Sequence, residues 1–148
     1  MTLNELMNVQ EPDLGYDNLI YKKESYDIIS CCLEVHNELV PGFSEIIYKD
    51  ALSIELELND IPYSREKSFI VNYKTFKLKR QYNCDFIAFD KIILEIKAQK
   101  FLTEEDKGQL SNYLSASGCA LGLLINFGEP SLKFKRVILS KNLPNKFL

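Results

Sequence analysis

Three charged side chains lie inside apolar stretches of the segment 82–97, YNCDFIAFDKIILEIK. Glu95 and Lys97 are two positions apart on a predicted strand, so their side chains share one face. Asp85 lies ten residues before Glu95, also within a predicted apolar strand. Because burying an unpaired charge is costly, such a group implies either an ion pair or a function.

Asp85 and Glu95 share a face only if the hairpin that joins their strands has the right geometry. A loop with an odd number of residues, such as 89–91, places Asp85 directly opposite Glu95. A two-residue loop places Asp85 opposite Ile96 and puts the two acids on different faces, unless a β-bulge restores the register. The length of this loop is therefore a condition on the site.

Two neighbouring carboxylates repel each other unless a cation lies between them. Mg²⁺ and Mn²⁺ prefer oxygen ligands, so either ion is a natural candidate. Beside such an ion, Lys97 would orient or help to deprotonate an attacking water and would stabilise charge on a phosphate oxygen. The alternative is a half-buried ion pair between an acid and Lys97 that only stabilises the fold. Local chemistry alone favours this alternative, since structural ion pairs are common.

Hydrophobic periodicity predicts the elements that position these residues. Pro41-Gly42 ends the first helix, Ser44 and Thr103 are predicted N-caps, and Gly118 ends the last helix. Helices are predicted at 21–39, 44–58 and 103–116, and strands at 68–73, 76–78, 82–89, 92–98, 119–127 and 134–139. The order α-α-β-β-β-α-β-β, with three or four strands before the last helix, predicts an α/β fold with a mixed β-sheet flanked by helices.

The composition suits a single domain. The chain has 148 residues, of which 46% are hydrophobic and 26% charged, enough for one hydrophobic core. No apolar segment is long enough to span a bilayer, and the N-terminus does not resemble a secretory signal, so we expect a cytoplasmic protein without membrane contact. Residues 1–20 are polar and are expected to form a flexible arm, which leaves 21–148 as the domain.

The cysteines and the single histidine do not match a zinc site. No C-x-x-C pair is present, so the four cysteines are expected to be reduced and buried: Cys31, Cys32, Cys84 and Cys119. His36 is expected to pack a helix. The net charge of −3 does not indicate a nucleic-acid-binding protein, but residues 132–148 contain five basic and no acidic side chains. A solvated edge and a phosphate-facing patch are equally supported there.

Together with Asp85, residues 95–97 (EIK) resemble the D…E-x-K core of the PD-(D/E)XK nuclease superfamily. A wider set of blocks is similar to the bacterial GxxExxY proteins, a group assigned to that superfamily. The blocks occur in the order of that group: 34–36 (EVH) with Pro41, 42–48 (GFSEIIY), 95–98 (EIKA), 109–110 (QL) with 113–114 (YL), and 122–128 (GLLINFG). They extend over roughly residues 20–140, and their combination favours a catalytic site over a purely structural ion pair.

The resemblance implies a restriction-endonuclease-like core and a metal site within it. Asp85, Glu95 and the carbonyl of Ile96 would be the metal ligands, and Lys97 would be the catalytic lysine. In the same reading, Mg²⁺ or Mn²⁺ is the cofactor.

The resemblance also implies roles for residues on the helices. Glu45 would place an additional acid over the site, although it would also suit any helix N-terminus. Gln109 would point toward the site and contact substrate or a metal-bound water, although such a residue ordinarily faces solvent. Tyr48 and Tyr113 would contact substrate, although tyrosines at these positions are more often at the edge of the core.

Three positions depart from the pattern of the family. Cys84 precedes the acid where the superfamily label has proline, and Val40 stands where glycine is common before Pro41. Asp106 occupies a position where histidine is frequent. The core acids and the lysine are all present, so the site is expected to be chemically intact.

The resemblance implies a divalent-metal-dependent nuclease that hydrolyses phosphodiester bonds, with DNA favoured over RNA as partner and a homodimer left open. One alternative is a non-catalytic nucleic-acid or protein-binding module on the same scaffold, and another is a different metal-dependent hydrolase that uses the same acids. A basic groove beside the acids would favour the nuclease. A buried ion pair between Glu95 and Lys97 without a cavity would favour the binding module.

Overall fold

The computed structural model describes residues 20–145. Within them lie helices α1 (Lys22–Leu39), α2 (Glu45–Leu58) and α3 (Glu104–Ser117). The strands are β1 (Tyr63–Arg65), β2 (Ser68–Tyr73), β3 (Phe76–Asn83), β4 (Phe86–Ala88), β5 (Ile92–Lys97), β6 (Leu121–Asn126) and β7 (Lys133–Ile138). A short 3₁₀ helix, Ser140–Asn142, follows β7.

Five strands form one mixed sheet in the order β1-β4-β5-β6-β7. Strands β5 and β6 pair in parallel, and the other neighbours pair antiparallel. The parallel pair requires a crossover connection, and α3 supplies it. The mixed α/β sheet flanked by helices that the sequence predicts is therefore present.

Strands β2 and β3 form a separate two-stranded sheet. Its turn lies at Lys74-Thr75 as predicted, but β3 extends to Asn83 instead of ending near Leu78. The predicted strand 82–89 is divided, since Cys84 and Asp85 separate β3 from β4. Strand β1 was not predicted, because three residues are too few to show a periodicity. Five strands thus precede α3 in the described chain, one or two more than expected.

Helices cover both faces of the five-stranded sheet. Strand residues such as Leu94 pack with α1 and α2. Ile93, one position earlier, packs with Leu110 of α3 on the other face. Because side chains alternate along a strand, Glu95 and Lys97 share the face of Ile93. The two charged residues therefore point to the side of the sheet that carries α3.

The N-terminus and packing of α3 explain its position beside the site. The Thr103 side chain accepts a hydrogen bond from the Asp106 amide at 3.1 Å, and the Asp106 carboxylate accepts one from the Thr103 amide at 2.9 Å. Such reciprocal caps satisfy two amides that the helix leaves unpaired. Further along, a side chain at Gly122 of β6 would come within 2.7 Å of Leu110. Glycine at this position allows α3 to lie close to the sheet.

A tight turn between α1 and α2 is held by Tyr48. This side chain is fully buried and stacks on Phe127 at a centroid distance of 4.9 Å. Its hydroxyl donates to the Val40 carbonyl at 2.6 Å and accepts from the Phe43 amide at 3.2 Å. The expected contact with substrate is therefore wrong for Tyr48, which has no exposed surface. Gly42 has a φ of 131°, a value that requires glycine and explains the sharp entry into α2.

The remaining expectations concern the termini and the polar core residues. Of the predicted arm 1–20, residues 1–19 lie outside the described chain, whereas Ile20 is fully buried. His36 is buried, with Nε2 2.8 Å from the Glu129 carbonyl oxygen, as expected for a helix-packing residue. The cysteines are free thiols, three of them buried and Cys119 half-buried. None of the described helices is long and apolar enough to cross a membrane.

Candidate active site

The hairpin between β4 and β5 has the loop length that the site requires. Phe86 pairs with Leu94 and Ala88 with Ile92, which leaves a three-residue loop at 89–91. Continuing this register by one position places Asp85 directly opposite Glu95. The predicted condition for the two acids to share a face is met.

Asp85 and Glu95 are both buried and are joined by reciprocal hydrogen bonds. The Asp85 amide donates to Oε1 of Glu95 at 3.0 Å. The Ile96 amide donates to Oδ2 of Asp85 at 2.7 Å. Because backbone amides hold both carboxylates, neither side chain can turn away from the other without losing a buried hydrogen bond. The acids are thus fixed as a pair.

The electrostatics of the pair indicate a need for positive charge. Burial, followed by the neighbouring charge of Asp85, raises the pKa of Glu95 to about 8. The Asp85 amide, Lys97 and Lys49 lower it again, but by less than burial and Asp85 raise it. A divalent cation between the carboxylates would remove this penalty, since it favours their ionised forms. The chemistry of the two donors therefore fits a hard cation.

Lys49 of α2 supplies positive charge directly to Asp85. Its Nζ lies 2.6 Å from Oδ1 of Asp85, 3.7 Å from Oε1 of Glu66 and 3.9 Å from Oε1 of Glu45. Burial alone would lower the pKa of Lys49, but the hydrogen bond and charge of Asp85 raise it. An ammonium group thus lies against Oδ1 of Asp85 in this structure. Within residues 20–145, no three His, Cys, Asp or Glu side chains converge as a metal-binding cluster.

Lys97 lies at the end of β5 and is half-buried. Its Nζ is 3.9 Å from Oδ1 of Asp106, the capping residue of α3. This pairing differs from the buried pair with Glu95 that would have favoured a binding module. Burial alone would raise the pKa of Asp106, but hydrogen bonds from Thr103 and Gln99 and the charge of Lys97 lower it. These contacts favour the ionised form of Asp106, which lies near the Lys97 ammonium as a counter-charge.

A buried amide clamp fixes the backbone just beyond Lys97. Asn126 accepts a hydrogen bond from the Gln99 amide at 3.0 Å and donates to the Gln99 carbonyl at 2.9 Å. The Gln99 side chain in turn donates to Asp106. A Cβ at Gly128 would come within 2.4 Å of the Gln99 backbone, so only glycine fits there. These contacts hold the end of β5 against β6 and α3.

A family model described as the PD-(D/E)XK nuclease superfamily matches residues 22–137. The chain belongs to this superfamily. With its mixed five-stranded sheet and flanking helices, the fold is α/β and restriction-endonuclease-like, as predicted. Members of the superfamily typically hydrolyse phosphodiester bonds of nucleic acids and generally use divalent metals. The described acids and Lys97 lie within the matched residues.

Comparison with solved structures finds the crystal structure of SSO0001. It is 16% identical in sequence, with a TM-score of 0.47, and the match covers 83% of this chain and 79% of that one. No curated protein matches the chain.

The remaining superfamily-derived candidates surround the acids to different extents. Glu45 of α2 is half-exposed and lies 3.9 Å from the Lys49 ammonium that pairs with Asp85, and burial and the charge of Asp85 raise the pKa of Glu45. Burial, followed by the charges of Glu95 and Asp85, raises the pKa of Tyr113 to about 12. Gln109 is exposed on the face of α3 that carries Asp106 and Tyr113. Within the described chain it makes no hydrogen bond to the acids.

The sequence interpretation missed Lys49 and Gln99, and it included Asn126 in the block 122–128 without giving it a role. Lys49 lies four residues after Glu45, and this helical spacing would have indicated that both side chains share a face of α2. Gln99 lies two residues after Lys97, but its contacts depend on β6 and α3 and have no local signal.

The basic C-terminal segment is only partly available as a surface. Arg136 is buried and donates to the Ser25 hydroxyl at 2.8 Å and to the Ile20 carbonyl at 2.6 Å. It therefore ties β7 to the start of the described chain. This arginine does not contribute to a phosphate-facing patch, one of the two interpretations that the sequence left open.

Proposed function

We propose that this protein is a divalent-metal-dependent nuclease that hydrolyses phosphodiester bonds of nucleic acid at Asp85, Glu95 and Lys97. The observation that carries the proposal is the buried carboxylate pair, held face to face by backbone amides and followed two residues later by a lysine. Structural ion pairs rarely bury two acids side by side, because each raises the pKa of the other. The superfamily match supports the same reading.

Asp85, Glu95 and the carbonyl of Ile96 would hold the metal, Mg²⁺ or Mn²⁺. The bound ion would supply a Lewis acid for the phosphate and a more acidic water. Asp85 and Glu95 would have to be ionised to bind it, which the ion itself favours. Lys49 would have to leave Oδ1 of Asp85, and Glu66 and Glu45 lie within reach as alternative partners.

Lys97 would orient the attacking water and stabilise charge on the phosphate. Asp106 keeps the ammonium at the end of β5, where it can reach a phosphate bound beside the acids. Glu45 would add an acid from α2. Gln109 and Tyr113 of α3 would border the substrate, and the exposed position of Gln109 is compatible with that role.

A non-catalytic nucleic-acid-binding module is the second candidate. The observation that favours it is the ion pair between Lys49 and Asp85, with 2.6 Å between Nζ and Oδ1. If this pair persists in the presence of metal, Asp85 is not available as a ligand. The fold alone does not distinguish a catalyst from a binding protein.

Cleavage assays with matched variants test the proposal. Single- and double-stranded DNA and RNA are incubated with Mg²⁺ or Mn²⁺ and with wild type, Glu95→Ala or Lys97→Ala. We expect metal-dependent cleavage that each substitution lowers by at least about a hundredfold, since both remove groups that act at the reacting phosphate.

The controls are Asp27→Ala and Lys23→Ala, which remove a carboxylate and an ammonium from an exposed ion pair on α1. They should cleave as wild type does. Absence of cleavage on all four substrates, or equal cleavage by the site variants and the controls, would refute the nuclease and leave the binding module.

A further inference from the structure

The β2–β3 hairpin concentrates positive charge on an acidic protein. Residues 67–83, termed here the basic arm, contain five of the 18 basic residues and none of the 21 acidic ones. The rest of the chain therefore has 13 basic and 21 acidic side chains. Segregation of this kind creates a local positive potential that the overall charge of −3 conceals.

The basic arm projects from the domain. Every residue from 72 to 81 is exposed, and the two strands pair only with each other. Near the base of the arm, Phe69 and Tyr82 pair across the two strands and are half-buried. The Tyr82 ring contacts the Tyr113 ring of α3 edge-to-face, with 5.3 Å between the ring centroids. Just beyond this pair, Ile70 and Val71 border a pocket with Ser115 and Ala116 of α3, and the tip that follows is exposed.

The exposed side chains combine unpaired cations with aromatic rings. Within residues 20–145, Lys77, Lys79 and Arg80 form no ion pair. Tyr73 and Phe76 face each other across the tip and are 59% and 68% exposed. Cations suit a chain of phosphates, and exposed aromatic rings suit unstacked bases. A second copy of the arm would instead bring like charges together.

Both ends of the basic arm lie beside Asp85. The Glu66 amide donates to the Asp85 carbonyl at 3.1 Å, and the Cys84 amide donates to the Lys67 carbonyl at 3.0 Å. Strand β3 therefore leads through Cys84 directly into Asp85. Its eight residues span about 25 Å, the length of roughly seven base steps of duplex DNA and of fewer steps in an extended, unstacked strand. A strand bound along the arm would have a phosphate near the carboxylate pair.

We propose that the basic arm is a nucleic-acid-binding element whose cations contact phosphates and whose tip aromatics stack on bases of a single strand. The proposal rests on the proposed function for the class of ligand, but it does not require cleavage. Lys77, Lys79 and Arg80 bind the backbone, and Tyr73 with Phe76 provides the stacking surface. The arm thereby directs the strand toward Asp85.

Binding measured without metal separates this proposal from catalysis. Fluorescence anisotropy of labelled single-stranded and duplex oligonucleotides is recorded in EDTA at several salt concentrations. We expect the triple variant Lys77→Gln/Lys79→Gln/Arg80→Gln to bind at least about tenfold more weakly at 0.1 M salt. The slope of log affinity against log salt should fall by about 0.7 for each lost phosphate contact on single strands.

The matched control is Lys23→Gln/Lys91→Gln/Lys141→Gln, which makes the same change in charge elsewhere on the surface. We expect it to bind nearly as wild type does. A second variant, Tyr73→Ala/Phe76→Ala, should weaken binding of single strands by roughly tenfold or more and binding of duplexes much less.

Two outcomes overturn the proposal. In one, the arm and control triple variants bind oligonucleotides equally well, which would mean that binding depends on the net charge of the protein and not on the arm. In the other, Tyr73→Ala/Phe76→Ala abolishes a salt-resistant dimer in size-exclusion chromatography and leaves nucleic-acid binding unchanged, which makes the arm a self-association surface.

Hydrolysis of bis(p-nitrophenyl) phosphate distinguishes a failure of the arm from a failure of the nuclease. This phosphodiester is too small to reach the arm, so the arm triple variant should hydrolyse it at the wild-type rate if the nuclease proposal is correct. Loss of oligonucleotide binding in a protein that hydrolyses nothing would support the arm and refute only the nuclease.

Discussion

At the proposed metal site, Lys49 would set how readily the carboxylate pair accepts a metal. Its ammonium lies 2.6 Å from Oδ1 of Asp85, so a divalent ion competes with a cation that the protein itself provides. The attraction within a partly buried ion pair is stronger than within an exposed one, since less solvent screens the two charges. The competition is local and can be removed by one substitution.

We expect Lys49→Met to bind Mn²⁺ about tenfold more tightly than wild type, because a competing interaction of about 1.4 kcal/mol is lost. Titration followed by electron paramagnetic resonance of free Mn²⁺ measures the affinity. Arg65→Met is the control. Arg65 of β1 pairs with Asp50 on α2, the helix that carries Lys49, with 2.8 Å between Nη1 and Oδ1, and it makes no ion pair with Asp85. Equal gains in both variants would indicate a general effect of net charge.

The raised pKa of Glu95 makes the stability of the metal-free protein depend on pH. Burial and Asp85 raise this pKa from 4.5 to about 8, so between these values the folded protein holds a proton that the unfolded chain releases. The free energy of unfolding must then fall as the pH rises through this window.

Glu95→Gln should remove that fall, because the amide does not titrate. Urea unfolding in EDTA at pH 5.5, 7 and 8.5 measures the free energy of unfolding of each protein. Glu57→Gln, which replaces an exposed acid, is the control and should keep the fall of the wild type. The difference in free energy of unfolding between wild type and Glu95→Gln should fall as the pH rises. A difference that stays constant or rises would contradict the assigned pKa.

Among the elements, the turn between α1 and α2 carries a backbone conformation that its sequence does not favour. Val40 has φ 54° and ψ 170°, a region that essentially only glycine adopts. The GxxExxY pattern that the sequence resembles commonly has glycine before Pro41, and the backbone at this position would use glycine. The hydrogen bond from Tyr48 to the Val40 carbonyl holds the turn in place.

Val40→Gly should therefore stabilise the protein. Relief of about 1–3 kcal/mol of strain exceeds the 0.5–1 kcal/mol that glycine costs in chain entropy, for a net gain of about 1 kcal/mol. Thermal unfolding measures the change. Val40→Ala is the control and should give no comparable gain, since any Cβ is disfavoured at this φ. A lower melting temperature for Val40→Gly would contradict the strain.

Local patterns predicted the elements that are long or apolar, and non-local contacts account for the rest. The three helices and β2 appear within one or two residues of their predicted bounds, because periodicity and capping residues act over short distances. Strand β3 was cut short because its polar and basic residues 79–83 show no buried face. Strand alternation made the facing acids conditional on one loop length, which the sequence left open and the register of β4 and β5 supplies. Lys49 could not be connected to Asp85, since that contact joins a helix to the link between two strands, 36 positions later.

For the whole molecule, metal binding and folding stability should be linked. An ion that binds only the folded state raises the free energy of unfolding by about 2.7 kcal/mol at a concentration of a hundred times its Kd. We expect millimolar Mn²⁺ to raise the melting temperature of wild type and not that of Asp85→Asn. Asp27→Asn, which removes an exposed carboxylate, should respond as wild type does. Equal responses in all three proteins would place the bound ion elsewhere.

The base of the basic arm has a consequence for how such a protein can change over generations. Two backbone hydrogen bonds, from Glu66 to Asp85 and from Cys84 to Lys67, close the arm where it leaves the domain. The exposed tip of the arm, residues 73–81, can lengthen, shorten or reverse its charge without moving the carboxylates. On the two proposals made above, ligand preference and the buried chemistry would evolve as separate modules, the first on the projecting hairpin and the second on the sheet.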